Sequence, residues 1–94
     1  MDANLISKNV TINGRRTSLR LERASWDAMV DICKCEGMTL HELCSLIEAK
    51  REGSSRTSAV RAFIVTYYRA VAKEYGALQR GMVSTILPGL SARR

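Results

Sequence analysis

The segment from residue 16 to residue 21 alternates polar and apolar side chains, and two of the polar ones are arginines. Successive side chains of an extended strand point to opposite faces, so this segment would have one mainly apolar face and one polar face. The apolar face would consist of Thr17, Leu19 and Leu21, and the polar face of Arg16, Ser18 and Arg20. Paired with the same strand of a second chain, it would form a narrow basic ribbon. Such a ribbon fits the DNA major groove, where arginine donates two hydrogen bonds to guanine. An ordinary surface strand with a solvated charged face has the same alternation.

The composition is that of one small domain and suits an anionic partner. The chain has 94 residues, of which 46% are hydrophobic, and this is enough for a packed core. A core of this size is marginal for a monomer and favours oligomerisation. The formal net charge of +6 favours a partner such as nucleic acid.

The charge is distributed unevenly along the chain. Residues 1–23 carry a net charge of +3, residues 24–53 carry −3, and residues 54–94 carry +6. This distribution suits an anion-binding ribbon on a body whose middle third repels anions. Solubility charges scattered by chance would give a similar pattern.

The residues before the strand predict a β-hairpin. Val10-Thr11-Ile12 is a short strand candidate, and Asn13-Gly14 favours a two-residue type I′ turn, which needs a positive φ at both positions. A first strand near residues 9–12 should therefore fold back onto residues 15–21. The extra strand would widen the ribbon and hinder its entry into a groove.

Three amphipathic helices are predicted after the hairpin. The first should cover residues 23–36, and the third about residues 58–75. The second should begin with a capping box between Thr39 and Glu42 and end near Glu52. Their apolar stripes, with spacings of three and four residues, are Trp26, Met29, Val30 and Cys33; Leu40, Leu43, Cys44 and Ile47; and Val60, Phe63, Ile64, Tyr67, Val71 and Tyr75.

The chain is expected to divide into three parts. Residues 1–9 should be a polar, mobile arm, residues 10–75 the folded domain, and residues 76–94 a C-terminal tail. One more amphipathic turn or docking segment is expected in the tail. Its apolar residues would be Met82, Val83, Ile86 and Leu87.

Four short motifs follow one another along residues 10–72. They are GRRTSLRLE from Gly14 to Glu22, Trp26-Asp27-Ala28, Gly37-Met38-Thr39-Leu40 and Ser58-Ala59-Val60-Arg61. Their order and spacing resemble the ribbon-helix-helix family of bacterial DNA-binding proteins, to which the Arc and methionine repressors belong. The likeness is strongest to a branch common in Alphaproteobacteria, with an added third helix.

This resemblance implies a mainly α fold with a short β-ribbon, an intertwined homodimer and an extra C-terminal helix. The strand at residues 16–21 would pair antiparallel with its two-fold mate, and the helices of both chains would form a shared core. The residues that read base edges would be Arg16, Ser18 and Arg20. Phosphate contacts are expected from Arg15 and from Thr39, at the N-terminus of the second helix, because helix N-termini attract anions.

Two functions are compatible with these features. The first is a sequence-specific DNA-binding protein, a transcriptional regulator such as a repressor, that acts on double-stranded DNA in a bacterial cytoplasm. The second is a homodimeric protein-interaction module of the same fold, a scaffold or an antitoxin-like protein, which binds its partner through the third helix or the tail. The additional strand and the acidic middle of the chain favour the second function.

The sequence has no motif that indicates an enzyme, a cofactor or a membrane span. It lacks a glycine-rich phosphate loop, a nucleophile elbow and a long apolar run. No secretory signal is visible, so Cys33, Cys35 and Cys44 are expected to be free thiols in a reducing cytoplasm. A zinc site that combines these thiols with His41 is disfavoured, because Cys33 and Cys35 would point in different directions from one helix.

Overall fold

The protein is a β-hairpin followed by helices over residues 5–89, the part of the chain that this computed structural model describes. The elements are β1 (Leu5–Ile12), β2 (Arg15–Glu22), α1 (Arg23–Glu36), α2 (Leu40–Lys50), α3 (Arg56–Tyr75) and α4 (Met82–Ile86). α2 packs against β1, whereas α1 and α3 pack against β2. This architecture confirms the expected mainly α fold with a short β-ribbon.

β1 and β2 form the predicted antiparallel hairpin. Ile12 lies opposite Arg15 across a two-residue turn. Asn13 and Gly14 have φ values of 53° and 80°, as a type I′ turn requires. The Asn-Gly pair therefore fixes both the position of the turn and the register of the strands.

β1 is longer than the sequence indicated. It begins at Leu5, so residues 5–9 belong to the sheet, and the prediction that they form a mobile arm was wrong. Lys8 occupies an inward position opposite Leu19, and this charged residue obscured the apolar alternation of the strand. Residues 1–4, the rest of the predicted arm, lie outside the described residues.

The core lies between the inward face of the hairpin and the helices. Leu21 and Met29 are 0% exposed, and Ile32 is 1% exposed. The buried hydrophobic residues are Val10, Ile12, Leu19, Leu21, Trp26, Met29, Ile32, Cys33, Leu43, Cys44, Ile47 and Val60. They come from both strands and from α1, α2 and α3, so the hairpin cannot detach without opening the core.

The buried face of α1 is rotated from the expected one. Val30 was predicted to be buried but is 41% exposed, whereas Ile32 is buried. The two residues flank the expected stripe on opposite sides of the helix. The Ile32 side faces α2 and α3, which explains why it is the side that is covered.

The predicted start of α2 is confirmed. Thr39 Oγ1 accepts a hydrogen bond from the Glu42 amide at 3.1 Å, and the Glu42 carboxylate accepts one from the Thr39 amide at 2.8 Å, which is a capping box. Gly37 ends α1 with a φ of 68°. α3 starts two residues earlier than expected, because Ser55 Oγ caps it by accepting a bond from the Ser58 amide.

α3 extends beyond the core that its own chain provides. Val60 is buried, but Val71 is 37% exposed and Tyr75 is 77% exposed. The last turns of the apolar stripe are therefore not covered by residues 5–89 of the same chain. α4, the predicted additional turn of the tail, is exposed throughout. None of the helices in residues 5–89 is long and apolar enough to cross a bilayer.

Candidate nucleic-acid interface

The hairpin has a polar side that faces away from the core. The three side chains predicted to contact bases lie there, and all three are exposed. Cross-strand pairing adds a polar residue of β1 opposite each of them. We call this surface the outward face; it consists of Ser7, Asn9, Thr11, Arg16, Ser18 and Arg20.

Burial on the other side of β2 fixes the direction of these side chains. Leu19 is 3% exposed and Leu21 is 0% exposed. A slip of the strand by one residue would exchange its faces and move Arg16 and Arg20 into the core, which is costly for unpaired charges. Sequence alternation therefore predicted the direction of the three side chains correctly, and their contact with DNA stays a prediction.

The two outward arginines have no ion-pair partner among residues 5–89. By contrast, Arg61 lies 2.8 Å from Glu22, and Arg56 lies 2.9 Å from Glu48. The guanidinium donors of Arg16 and Arg20 are therefore not used by any carboxylate in the described part of the chain. An approaching anion would meet two cations that a rigid strand holds in place.

Two other cations of the hairpin lie outside the outward face. Arg15 is on the same side of β2 as Leu19 but is exposed, because it lies beside the turn, at the end of the hairpin. Lys8 is on the inward side of β1, where its Nζ lies 5.2 Å from the centre of the Trp26 ring, in a cation–π contact. The phosphate contact predicted for Arg15 can therefore form only at the turn end of the hairpin.

The sequence interpretation missed the part of the outward face that β1 provides. Ser7 and Asn9 fell within the predicted arm. Ser7 Oγ lies 2.9 Å from Ser18 Oγ, so a hydrogen bond between the two strands orients a hydroxyl that was predicted to read bases. The alternation of polar residues at positions 7, 9 and 11 is the signal that could have revealed this strand.

α2 covers part of the β1 edge of the hairpin. His41 Nδ1 accepts a hydrogen bond from the Thr11 amide at 2.9 Å, and Ser45 Oγ accepts one from the Asn13 amide at 3.1 Å. These side chains occupy backbone donors that another strand would need. Near the turn, the β1 edge is therefore closed to further strand pairing.

The edge of β2 is different. Because the pair next to a two-residue turn is hydrogen-bonded and the pairs then alternate, the backbone groups of Arg16, Ser18 and Arg20 point away from β1. They make no hydrogen bond with another group in residues 5–89. β2 thus presents a row of unused backbone donors and acceptors, which is a template for another strand.

Thr39 lies at the exposed N-terminus of α2, on the β1 side of the hairpin. Its amide donates to the Glu42 carboxylate and its hydroxyl accepts from the Glu42 amide, so among residues 5–89 only the hydroxyl hydrogen is left to donate to a phosphate. A phosphate at this helix end would meet the Glu42 carboxylate as well as the helix amides. β1 also lies between Thr39 and β2. A DNA backbone that contacts Thr39 must therefore also pass β1, and it cannot contact the outward side chains of β2 alone.

An ion pair ties α3 to the end of β2. Arg61 Nε and Nη2 donate to the two carboxylate oxygens of Glu22 at 3.1 Å and 2.8 Å, and Ser25 Oγ donates at 3.0 Å. The Arg61 guanidinium is the main reason that the pKa of Glu22 falls to about 2. The pair holds the end of the strand that carries Arg20 in place relative to the helices.

We expect this ion pair to make stability depend on pH in acid. Since folding lowers the pKa of Glu22 from 4.5 to about 2, its contribution is complete above pH 4.5 and is lost as the pH falls towards 2. The melting temperature of Glu22→Gln should lie below that of the wild type at pH 6, and the gap should close between pH 4.5 and pH 2. Circular dichroism would measure both, with Glu74→Gln as a control. A gap that does not change with pH would contradict this role of Glu22.

The cysteines do not form a site with His41. Cys33 and Cys44 are buried, whereas Cys35 is exposed, so Cys33 and Cys35 point apart as expected. Burial raises the pKa of Cys33, and it raises that of Cys44 to about 11, so both stay protonated at neutral pH. Residues 5–89 contain no group of three side chains placed to hold a metal ion.

Comparison with known proteins gives one family match. The sequence profile of the family described as "Ribbon-helix-helix domain" matches residues 5–68. This span covers both strands, α1, α2 and more than half of α3. Searches of curated proteins and of solved structures found no match. The matched span starts at the first residue of β1, so the whole hairpin belongs to the matched domain.

Proposed function

Because this chain belongs to the ribbon-helix-helix domain family, whose members are typically DNA-binding transcription regulators, we propose that it is a sequence-specific, DNA-binding transcription regulator. It acts as a homodimer and turns the outward faces of its paired β2 strands towards the major groove. Arg16 and Arg20 donate hydrogen bonds to base edges, and guanine O6 and N7 are the preferred acceptors. Ser18 lies between them, and Arg15 and Thr39 contact phosphates.

The main support is the fixed direction of two arginines on a strand whose other side is buried. Sites on strands are held more precisely than sites on loops. Arg16 and Arg20 are about 13 Å apart along β2, at roughly 3.3 Å per residue. Since bases on one DNA strand follow at about 3.4 Å, the two arginines reach different base pairs.

The homodimer is supported by surfaces that one chain leaves open. The edge of β2 has unused backbone groups, and an antiparallel copy of β2 would satisfy them. Two-fold pairing places both outward faces on the same side and doubles the arginines there. An apolar groove of about 790 Å³ also lies open between α1, α2 and α3, with Leu46 and Phe63 among its walls. A second copy would cover apolar surface of this kind.

A second candidate function is binding to a protein partner. It is favoured by apolar side chains that the chain leaves exposed beyond the core of the domain. They lie on the second half of α3, on α4 and on the residues around it: Tyr68, Val71, Tyr75, Leu78, Met82, Val83, Ile86 and Leu87. Contiguous exposed apolar surface is typical of protein-binding sites. Such binding would depend little on salt, whereas DNA binding weakens steeply as salt rises.

Selection of bound sequences from a random DNA pool tests the first function. Fluorescence anisotropy at two salt concentrations, followed by sequencing of the bound fraction, should give a steep salt dependence and an enriched palindrome. We expect Arg20→Ala to lose about 1–3 kcal/mol of discrimination at one base pair of each half-site. The positions that lose their preference identify the bases that Arg20 reads.

Arg69→Ala is the matched control for this experiment. Arg69 is an exposed arginine on α3, so its removal changes the net charge equally without touching the outward face. It should leave the enriched sequence unchanged. An unchanged preference in Arg20→Ala would remove Arg20 from the interface, and no binding by the wild type at low salt would overturn the DNA-binding function.

A further inference from the structure

The width of the sheet limits how it can approach DNA. If β2 pairs with β2 of a second copy, the strand order across the dimer is β1, β2, β2, β1. With strands about 4.8 Å apart, the axes of the outer strands are roughly 14 Å apart. The major groove is about 12 Å wide. The two central strands fit between the groove walls, but the two β1 strands lie over the walls, which are sugar-phosphate backbone.

The outward side chains of β1 have the chemistry that such a position needs. Apart from Leu5 at the start of the strand, they are two hydroxyls and an amide, whereas those of β2 include both arginines. Serine, threonine and asparagine donate hydrogen bonds to phosphate oxygens, and these contacts place a protein without reading the sequence. β1 has no carboxylate on this stretch that would repel DNA.

Two of these side chains have unused donors. Ser7 Oγ is paired with Ser18 Oγ, but the side chains of Asn9 and Thr11 make no hydrogen bond with another group in residues 5–89. Asn9 is exposed. Thr11 is held at its backbone by His41 on α2. The middle of β1 therefore offers neutral donors on a strand that α2 holds in place.

We propose that the outward face of β1, with Asn9 at its centre, is a phosphate-contacting surface that rests on the walls of the major groove and flanks the base-reading β2 strands. This surface rests on the proposed DNA binding through paired β2 strands. It positions the dimer on the duplex, and β2 alone supplies sequence preference. The sheet then lies across the groove and does not enter it with all its strands.

A lysine at position 9 tests this surface. Asn9→Lys places an ammonium against the phosphates, so the dimer gains two contacts. We expect tighter binding at low salt and a slope of log affinity against log salt that is steeper by about 1.8, at about 0.9 per contact. The affinity should therefore fall about tenfold more than that of the wild type between 50 and 200 mM salt. Asn9→Asp should weaken binding to every sequence, and the enriched sequence should be the same in all three proteins.

Gln79→Lys is the matched control, because it adds the same charge at an exposed residue between α3 and α4. Its slope should change much less than that of Asn9→Lys. Equal changes in the two variants, or an altered sequence preference in Asn9→Lys, would overturn the phosphate surface while the proposed function stands. No DNA binding by the wild type would overturn both. Circular dichroism and sedimentation of each variant confirm that the fold and the oligomeric state are those of the wild type.

Discussion

A proline at position 18 should convert the protein into a monomer and remove its specific DNA binding. The Ser18 amide points away from β1, so the hairpin does not use it, but a β2–β2 pair would. Proline has no amide hydrogen and is tolerated only at sheet edges. Each copy would leave a carbonyl unpaired at about 1–3 kcal/mol. With two copies in a dimer, we expect weaker association by roughly 2–6 kcal/mol, measured by sedimentation equilibrium.

Asn9→Pro is a matched control for this prediction. Asn9 lies directly opposite Ser18, and its amide also points away from the hairpin, but towards the other edge. The two prolines therefore strain the same rung of the ladder and block different edges, and Ser18→Pro also removes the hydrogen bond between the Ser7 and Ser18 hydroxyls. If Asn9→Pro dissociates the dimer and Ser18→Pro does not, the subunits pair through β1. If neither does, the sheet is not the interface.

Much of the fold could be predicted from the sequence, because it depends on local patterns that the tertiary packing does not override. The Asn13-Gly14 turn, the Thr39–Glu42 capping box and the stripe of α2 were all readable because each depends on residues close in sequence. The direction of Arg16, Ser18 and Arg20 was readable for the same reason, since alternation in a strand needs only its neighbours.

The parts that the sequence did not reveal depend on contacts between distant residues. Lys8 is tolerated at an inward position because its ammonium lies over the ring of Trp26, eighteen positions away. When that contact is not known, a lysine at this position suggests a mobile polar arm and not a strand. The choice between Val30 and Ile32 depends on where α2 and α3 pack against α1. Periodicity gives the stripe but does not say which flank the neighbouring helices cover.

The exposure of the end of α3 is another feature that the sequence pattern alone did not predict. Sequence periodicity correctly joins Val60, Phe63 and Tyr67 into one stripe with Val71 and Tyr75. It cannot say whether the chain has enough other elements to cover that stripe. Here the covering ends near Tyr67, whose hydroxyl donates to Glu36 at the end of α1 at 2.7 Å. The uncovered turns beyond it are surface available to a second molecule.

Truncation of Leu21 should cost more stability than truncation of any side chain on the outward face. Leu21 is 0% exposed and lies between Arg20, which we expect to read DNA, and Glu22, which anchors α3. Leu21→Ala leaves a cavity under the sheet and should lower the free energy of unfolding by about 2–5 kcal/mol. Small domains have a total free energy of unfolding of only about 5–15 kcal/mol. The hairpin would therefore no longer be held firmly against the helices, and DNA binding should weaken as well.

Urea unfolding followed by circular dichroism would measure this loss, with Leu78→Ala as the control. Leu78 is 80% exposed, so the same truncation there should change stability by less than about 0.5 kcal/mol. A cost at Leu78 equal to that at Leu21 would mean that a partner buries Leu78. A cost below about 1 kcal/mol at Leu21 is too small for a filled core position, and it would contradict the packing of β2 on the helices. The fixed direction of Arg16 and Arg20 depends on that packing, because only burial of the inward side holds the other side of the strand towards DNA.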